Sequence, residues 1–405
     1  MTGSDLPLLL TPVPGPLSRG WVDRLALREC PAITARRARR AASLGLSDTD
    51  PMVWDQALGA NVMDVDGNLF VDLTAGFGVA TVGHRDPAVV RAGQEQLARL
   101  PHAMGDAFPD PTRILLLERL CELTGMDRGI LGSSGSDAVE AAVKTARMAT
   151  GRDGVLAFEG SYHGLSYGAL AATSYKSEAF RAPFAGQLGA HVRHAPYGGP
   201  IPDLSGLGAV LVEPIQGRGG MRPPPDGWLS ELRHACTVEG VVLIVDEIYT
   251  GFGRTGPLFA STEVQPDLMC VGKGMAGGFP ISACLGTALV MDAWGASRGE
   301  ALHTQTFLGN PVGCAMALAC IARVLELMPR ADALGLRERL QEHGPVRGRG
   351  LMLGLEHPDA LGLSRELLGR GFIALPAGEG GEVLAITPPL CISTEQVDAL
   401  LQALA

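Results

Sequence analysis

A chain of 405 residues, 46% hydrophobic and 19% charged, has apolar material for a large core and the length for two or three domains. Its net charge of −10, from 33 Lys and Arg against 43 Asp and Glu, argues against general nucleic-acid binding, which needs a basic face. Eight cysteines without a Cys-x-x-Cys or a zinc-like spacing read as free thiols of a reducing, cytoplasmic compartment, with no metal site.

The N-terminus lacks a basic segment followed by an apolar one, so no signal peptide is expected. Residues 1–20, rich in proline and leucine, are predicted to form an irregular arm. The cluster Arg36-Arg37-Ala38-Arg39-Arg40 reads as a solvated face on so acidic a chain. Residues 61–73 alternate in polarity around Asp66-Gly67, the pattern of a hairpin. The loop 74–84, with Gly76, Gly78 and Gly83, would border a pocket, which makes Phe77 a candidate substrate contact.

From about 110 to 330, strand-like runs alternate with helical patterns. The runs 154–158, 209–213, 241–246 and 268–272 each end near Gly, Pro or a carboxylate. That alternation predicts a parallel α/β sheet, whose ligand sites lie at the carboxyl ends of its strands. No apolar run approaches a membrane span, and the richest, 314–328, carries Arg323 and Glu326 and is predicted to be a core helix. Residues 347–355 and 381–392 are strand-like, and 394–404 is helical, as in a smaller α+β domain. The expected division is an N-terminal arm with part of the small domain (1–60), a large domain (61–300) and the rest of the small domain (301–405).

Four stretches carry chemistry. Gly272-Lys273-Gly274 ends an apolar run and places an ammonium on a tight turn where backbone can approach a ligand. Gly132-Ser133-Ser134-Gly135-Ser136-Asp137 precedes a helix with Val139, Ala142, Val143 and Ala146 at helical spacing. Ser134 or Ser136 would cap it, and such an N-terminus also cradles phosphate. Tyr162 and His163 sit on a glycine-bounded turn after a strand, a platform for a planar ring. Val241 to Val245 is a buried run ending in Asp246 and Glu247, and a carboxylate at that depth needs a partner such as a protonated heterocyclic nitrogen. Together these are what pyridoxal 5'-phosphate needs: a lysine for the Schiff base and an acid that keeps the pyridine nitrogen protonated.

Several motifs occur in one order over nearly the whole chain. They are Ser133-Ser134-Gly135-Ser136-Asp137, Ser161-Tyr162-His163-Gly164, Glu213-Pro214-Ile215-Gln216-Gly217, the run from Asp246-Glu247 to Gly253-Arg254-Thr255-Gly256, Gly272-Lys273-Gly274, His303 to Pro311, and Thr387-Pro388-Pro389-Leu390. In these the chain resembles the class III (subgroup II) aminotransferases of fold type I. The resemblance implies a large, mostly parallel seven-stranded domain and a small domain built from both chain ends. It implies that Lys273 binds the cofactor and shuttles protons, and that Asp246 pairs with the pyridine nitrogen. Ser134, Gly135 and Ser136 would hold the phosphate, Tyr162 and Ile248 would cover the two ring faces, and His163 would join the cofactor contacts. Thr306 would reach the phosphate from a neighbouring subunit, which implies a homodimer with shared sites. The implied reaction is ping-pong transfer of an amino group to a keto acid or aldehyde.

Two departures bear on substrate choice. Many members place an arginine in the strand before Pro-Pro-Leu, where it can pair with the glutamate of Glu-Pro-x-Gln-Gly; here Ala385 stands there. An unpaired buried carboxylate is costly, so Glu213 is expected to find Arg218 or the substrate itself. Glu213 open to a second amine or hydroxyl would favour amino sugars, diamines or ω-amino compounds. Tyr249 stands where many members have a glutamine near the cofactor's phenolic oxygen, and it can still donate a hydrogen bond. Arg254 and Arg349 are further carboxylate contacts or, equally, structural ion-pair residues. A racemase on the same fold is the alternative reaction. The related racemases place an acid just after Glu-Pro-Ile-Gln, where this chain has Gly217-Arg218, which disfavours it. A scaffold that has lost its chemistry would have no need of both Lys273 and Asp246.

Overall fold

The computed structural model describes residues 1–34, 51–296 and 299–405, so the arginine cluster at 36–40 lies outside the described residues. Three antiparallel strands come first: β1 (Trp54–Leu58), β2 (Asn61–Asp64) and β3 (Leu69–Asp72). The predicted hairpin is β2–β3. Gly67 takes φ +85° in its turn, and the Asp64 carboxylate accepts the amides of Asp66 and Asn68.

Seven strands follow: β4 (Arg128–Gly132), β5 (Gly154–Phe158), β6 (Val192–Ala195), β7 (Leu207–Val212), β8 (Val242–Asp246), β9 (Leu268–Val271) and β10 (Ser282–Gly286). They form one sheet in the order β4-β10-β9-β8-β7-β5-β6. β6, β5, β7, β8 and β9 pair in parallel, while β10 runs antiparallel to both β9 and β4. Two reversals make β4 point the same way as the parallel strands. β7, β8 and β9 are buried along their whole length, as continuous apolar strands covered on both faces must be. The helix Gly135–Thr150 covers one face, its small Ala138, Ala142 and Ala146 packing with Val155, Ile244 and Cys270. The helix Trp228–Glu239 covers the other, with Trp228, Leu232 and Cys236 against Leu156, Val210 and Leu243. This is the mixed α/β architecture, with a seven-stranded mostly parallel sheet, that the sequence predicts.

The C-terminal part contributes β11 (Val346–Arg349), β12 (Met352–Glu356), β13 (Phe372–Ile373), β14 (Leu375–Ala377) and β15 (Val383–Ile386). β11, β12, β15 and β14 make a second sheet, and β13 pairs in parallel with β3. The closing helix Thr394–Leu404 reaches the start of the chain: Gln396 Nε2 donates to the Asp5 carbonyl at 3.0 Å.

Two elements differ from expectation. The arm contains a helix, Pro16–Ala26, begun by Pro16 and capped from afar by Asp66, whose carboxylate accepts the Leu17 and Ser18 amides. Residues 347–355 are a hairpin rather than one strand, because the chain turns at Gly350, with φ +56°. The helix Pro311–Asp332 is long and apolar enough to cross a membrane by length and composition only. Here it packs into the core through Cys314, Ala317, Ile321 and Val324, and Arg323 pairs with Asp86, as a core helix does. All eight cysteines are free thiols.

Candidate active site

The carboxyl ends of the parallel strands converge. β8, the middle strand, ends in Asp246, β9 leads into Lys273, β7 into Glu213 and β5 into the turn bearing Tyr162 and His163. β4 delivers Ser134 to the same edge as the N-cap of the helix Gly135–Thr150.

Asp246 is buried. Its Oδ2 lies 2.7 Å from His163 Nδ1, and its Oδ1 accepts the Ile248 amide at 3.0 Å. His163 is buried too, fixed by its own amide on Thr173 Oγ1, and its Nε2 is a buried atom without a partner. The imidazole therefore backs the carboxylate rather than offering a face to a ring.

Lys273 adopts φ +30°, the left-handed side, and its Nζ lies 4.6 Å from the centre of the Tyr249 ring. Burial pushes its ammonium pKa down, Asp246 and Glu213 push it back up, and Arg218 adds to the lowering. The Tyr249 hydroxyl meets Thr387 Oγ1 at 3.2 Å, and two glycines make room for the ring. A Cβ on Gly217 would stand 2.3 Å from it, and one on Gly78 2.4 Å from it.

Gly78 closes a run that sequence reasoning missed. Ala75, Gly76, Phe77 and Gly78 are all left-handed, with φ of 46°, 56°, 63° and 79°. Such a run costs energy at its non-glycine members, and Asp72 holds it. Its buried carboxylate accepts the Thr74 amide and hydroxyl on one oxygen, and the Gly76 amide and His84 Nε2 on the other. Phe77, the candidate substrate contact, is carried on this turn with its ring exposed.

Glu213 is buried without an arginine. Its Oε1 accepts the Tyr162 amide at 2.9 Å and its Oε2 the Gly217 amide at 3.1 Å. Burial raises its pKa, His163 opposes that, and Asp246 adds to it. Arg218, expected as its ion-pair partner, instead lies over the Tyr162 ring at 4.5 Å and the Tyr175 ring at 6.0 Å. Two backbone amides meet the carboxylate in place of a guanidinium, and burial still outweighs them. Ala385 lies in a small apolar cluster with Ile215, Met221, Met352 and Ala377, against Tyr249.

The other two arginines meet protein groups. Arg254 is fully buried and donates to the Leu351 and Pro388 carbonyls and to Thr81 Oγ1, with burial lowering its pKa to about 10. Arg349 pairs with Asp226 at 3.6 Å on the surface.

At the helix N-terminus Ser134 and Asp137 form a capping box. Among the described residues the amides of Gly135 and Ser136 meet no acceptor. Ile248 packs over this end: a Cβ on Gly135 would lie 2.9 Å from its Cδ1. Gln305 accepts the Ser133 hydroxyl at 2.9 Å, and its neighbour Thr306 is exposed.

A family model for class-III aminotransferases matches residues 46–405. The chain belongs to the class-III aminotransferases. It is 40% identical to the acetylornithine aminotransferase of Methanopyrus kandleri over 86% of its own length and 92% of that protein's. It is 35% identical to the 4-aminobutyrate aminotransferase of Mycobacterium tuberculosis over 96% of its length and 94% of that protein's. Among solved structures it resembles a PLP-bound amine transaminase from an uncultivated Pseudomonas species, with TM-score 0.79 and 29% identity, covering 88% and 94% of the two chains. This aminotransferase is a pyridoxal-phosphate enzyme, and its residues fit that group. Two unspent amides at a helix N-terminus suit a phosphate, a buried carboxylate suits a protonated ring nitrogen, and a lysine whose burial favours the neutral amine suits an aldehyde.

Proposed function

We propose that Lys273 and Asp246 are the catalytic residues of a ping-pong transamination between a donor amine and a keto acid or aldehyde. The observation that carries this is the meeting of Lys273, Asp246 and the free Gly135 and Ser136 amides at one edge of the sheet. When bound, pyridoxal phosphate supplies an aldehyde for amines and a ring that draws electrons from the substrate carbon.

Lys273 Nζ is the amine that would hold the aldehyde. Released by the donor, it takes a proton from the substrate's amine-bearing carbon and later returns one; a neutral amine is required for that, and burial favours it. Asp246 would face the ring nitrogen and help it keep a proton, and its carboxylate is held in place by His163 and the Ile248 amide. Gly135 and Ser136 would receive the phosphate with the Ser134 cap beside them, while Tyr162 and Ile248 would cover the ring faces and Tyr249 would address its phenolic oxygen. The alternative, racemisation, needs a second acid or base facing Lys273. Arg218, permanently protonated, cannot serve as one.

We infer a homodimer with shared sites. Thr306 lies beside exposed Phe307, and exposed Met104 and Phe108 flank Gly105, which packs on the Leu308 carbonyl; such apolar side chains are ones that water disfavours and a second copy would cover. The chemistry of eight free thiols fits a cytoplasmic enzyme. The division into a large unit, 61–300, and a small unit from both chain ends belongs to the same reading. Ala385 leaves β15 without a guanidinium, which supports donors other than glutamate, ω-amino compounds among them.

The test is the visible absorbance of the purified, cofactor-loaded enzyme. Glutamate, alanine, ornithine, putrescine, 4-aminobutyrate and an amino sugar are added singly without acceptor. At least one donor is expected to bleach the visible band, and Lys273→Ala to lack it. No band with cofactor present means that Lys273 is wrongly assigned. A band that no donor bleaches, with turnover of an amino acid lacking any acceptor, means racemisation.

A further inference from the structure

Among the described residues Arg218 makes no ion pair and none of its guanidinium N–H groups meets an acceptor. The side chain is half-buried and lies over Tyr162 at 4.5 Å with Tyr175 at 6.0 Å. A cation–π contact takes no N–H donor from a guanidinium when the group lies over the ring, so its donors remain for a planar anion. The backbone under it is fixed: the Gly378 amide donates to the Arg218 carbonyl at 3.0 Å, and Tyr249 leaves no room for a side chain at Gly217.

Among the described residues no carboxylate pairs with Arg218, although Glu382 lies by Gly378, whose amide bonds the Arg218 carbonyl, and Glu379 next to it accepts the Lys176 amide. Glu213, four residues before Gly217, spends both oxygens on backbone amides. Ala385 brings only a methyl group to the same wall, through the cluster of Ile215, Met221 and Met352. The stacked Tyr162 precedes His163, which grips Asp246, so the guanidinium rests on the segment that frames the reacting centre. Its charge is also felt at Lys273, where it disfavours the ammonium.

Resting on the transaminase reading, we propose that Arg218, held on the faces of Tyr162 and Tyr175 and left without a protein partner, is the carboxylate receptor that selects this enzyme's substrates. The donor then carries a carboxylate besides its amine, and the acceptor a carboxylate besides its carbonyl. Amines and aldehydes lacking the anion are poor substrates.

The experiment uses cofactor-loaded wild type, Arg218→Met and Arg218→Lys with two matched pairs, 4-aminobutyrate against butylamine and alanine against ethylamine. A charge-assisted bond lost in the methionine variant predicts a KM rise of roughly 10- to 100-fold for the carboxylate member, with the plain amine changed less than about threefold. The lysine variant is expected in between, since it keeps the charge and loses the two-pronged geometry. Binding of glutarate, which has no amine, should weaken at least about tenfold in Arg218→Met by calorimetry, a readout independent of turnover. Equal losses for both members of a pair, or unchanged glutarate binding, overturn the assignment while the visible band and donor bleaching of the wild type stand. A wild type that loads cofactor and is bleached by no donor overturns the transaminase reading and this proposal with it.

Discussion

Two regions hold an arginine that makes no ion pair among the described residues, and they treat it in opposite ways. At the junction beneath Thr81, Arg254 is walled off from water and answered by two carbonyls and a hydroxyl. Beside Gly378 and Tyr162, Arg218 keeps its donors open among the described residues and its guanidinium is answered by aromatic rings. A buried cation ringed by fixed oxygens ties segments together, here residues 81, 351 and 388. A cation on aromatic faces ties nothing and remains available. The same side chain is architecture in one place and a receptor in the other, and what separates them is whether backbone oxygens have already been supplied.

The largest effect should come from Arg254→Ala in the cofactor-loaded enzyme. Three oxygens lose their donor in a dry core and the stem leaves a void, which together outweigh relief of the buried charge, for a loss of about 3 kcal/mol. Arg218→Ala should cost under about 1 kcal/mol, the worth of its aromatic contact. Urea unfolding measures both, and equal costs would erase the distinction. Next comes Gly217→Ala, which forces the Tyr249 ring aside and disturbs the wall that carries Arg218. An overpacked site of this kind costs about 1–3 kcal/mol, with a fall in kcat as the ring beside Lys273 moves. Ala385→Arg sets a second guanidinium on that wall and should raise kcat/KM for glutamate by roughly tenfold, the value of one charge-assisted bond. An unchanged donor preference would mean that β15 does not face the substrate.

The smallest effect concerns pH. Burial holds the Glu213 carboxyl above its ordinary 4.5. Between 4.5 and its native value the folded protein keeps a proton that the unfolded chain has lost, so stability falls as pH rises through that window. Glu213→Gln should remove that part of the slope, seen as a flatter urea midpoint between pH 4.5 and neutrality. A slope identical in both proteins would show that the two amides keep Glu213 ionised.

What could be read from the chain is what is local. The Ser134 cap, the Asp66-Gly67 turn and the acids after apolar strands each declare themselves within a few residues. The same logic applied to Asp72, which also ends a buried strand, would have found the carboxylate that holds residues 75–78. The left-handed run itself has no such signal, because Ala75 and Phe77 are not residues that ask for positive φ. Partner choice across the fold was equally hidden. Whether Glu213 meets a guanidinium or two amides depends on how the 159–164 and 213–218 segments meet, and no spacing encodes that. The helix Pro16–Ala26 escaped notice for a related reason: its cap, Asp66, lies on another element.

The pairing of β13 with β3 has a consequence for how the protein is made. β3 emerges well before its edge partner β13, which comes only after all seven strands of the large sheet. Until then the first hairpin leaves the ribosome with a bare edge, open to pairing with any other chain. A polypeptide that stopped short of β13 would therefore carry all seven strands of the large sheet and still be a hazard to its neighbours.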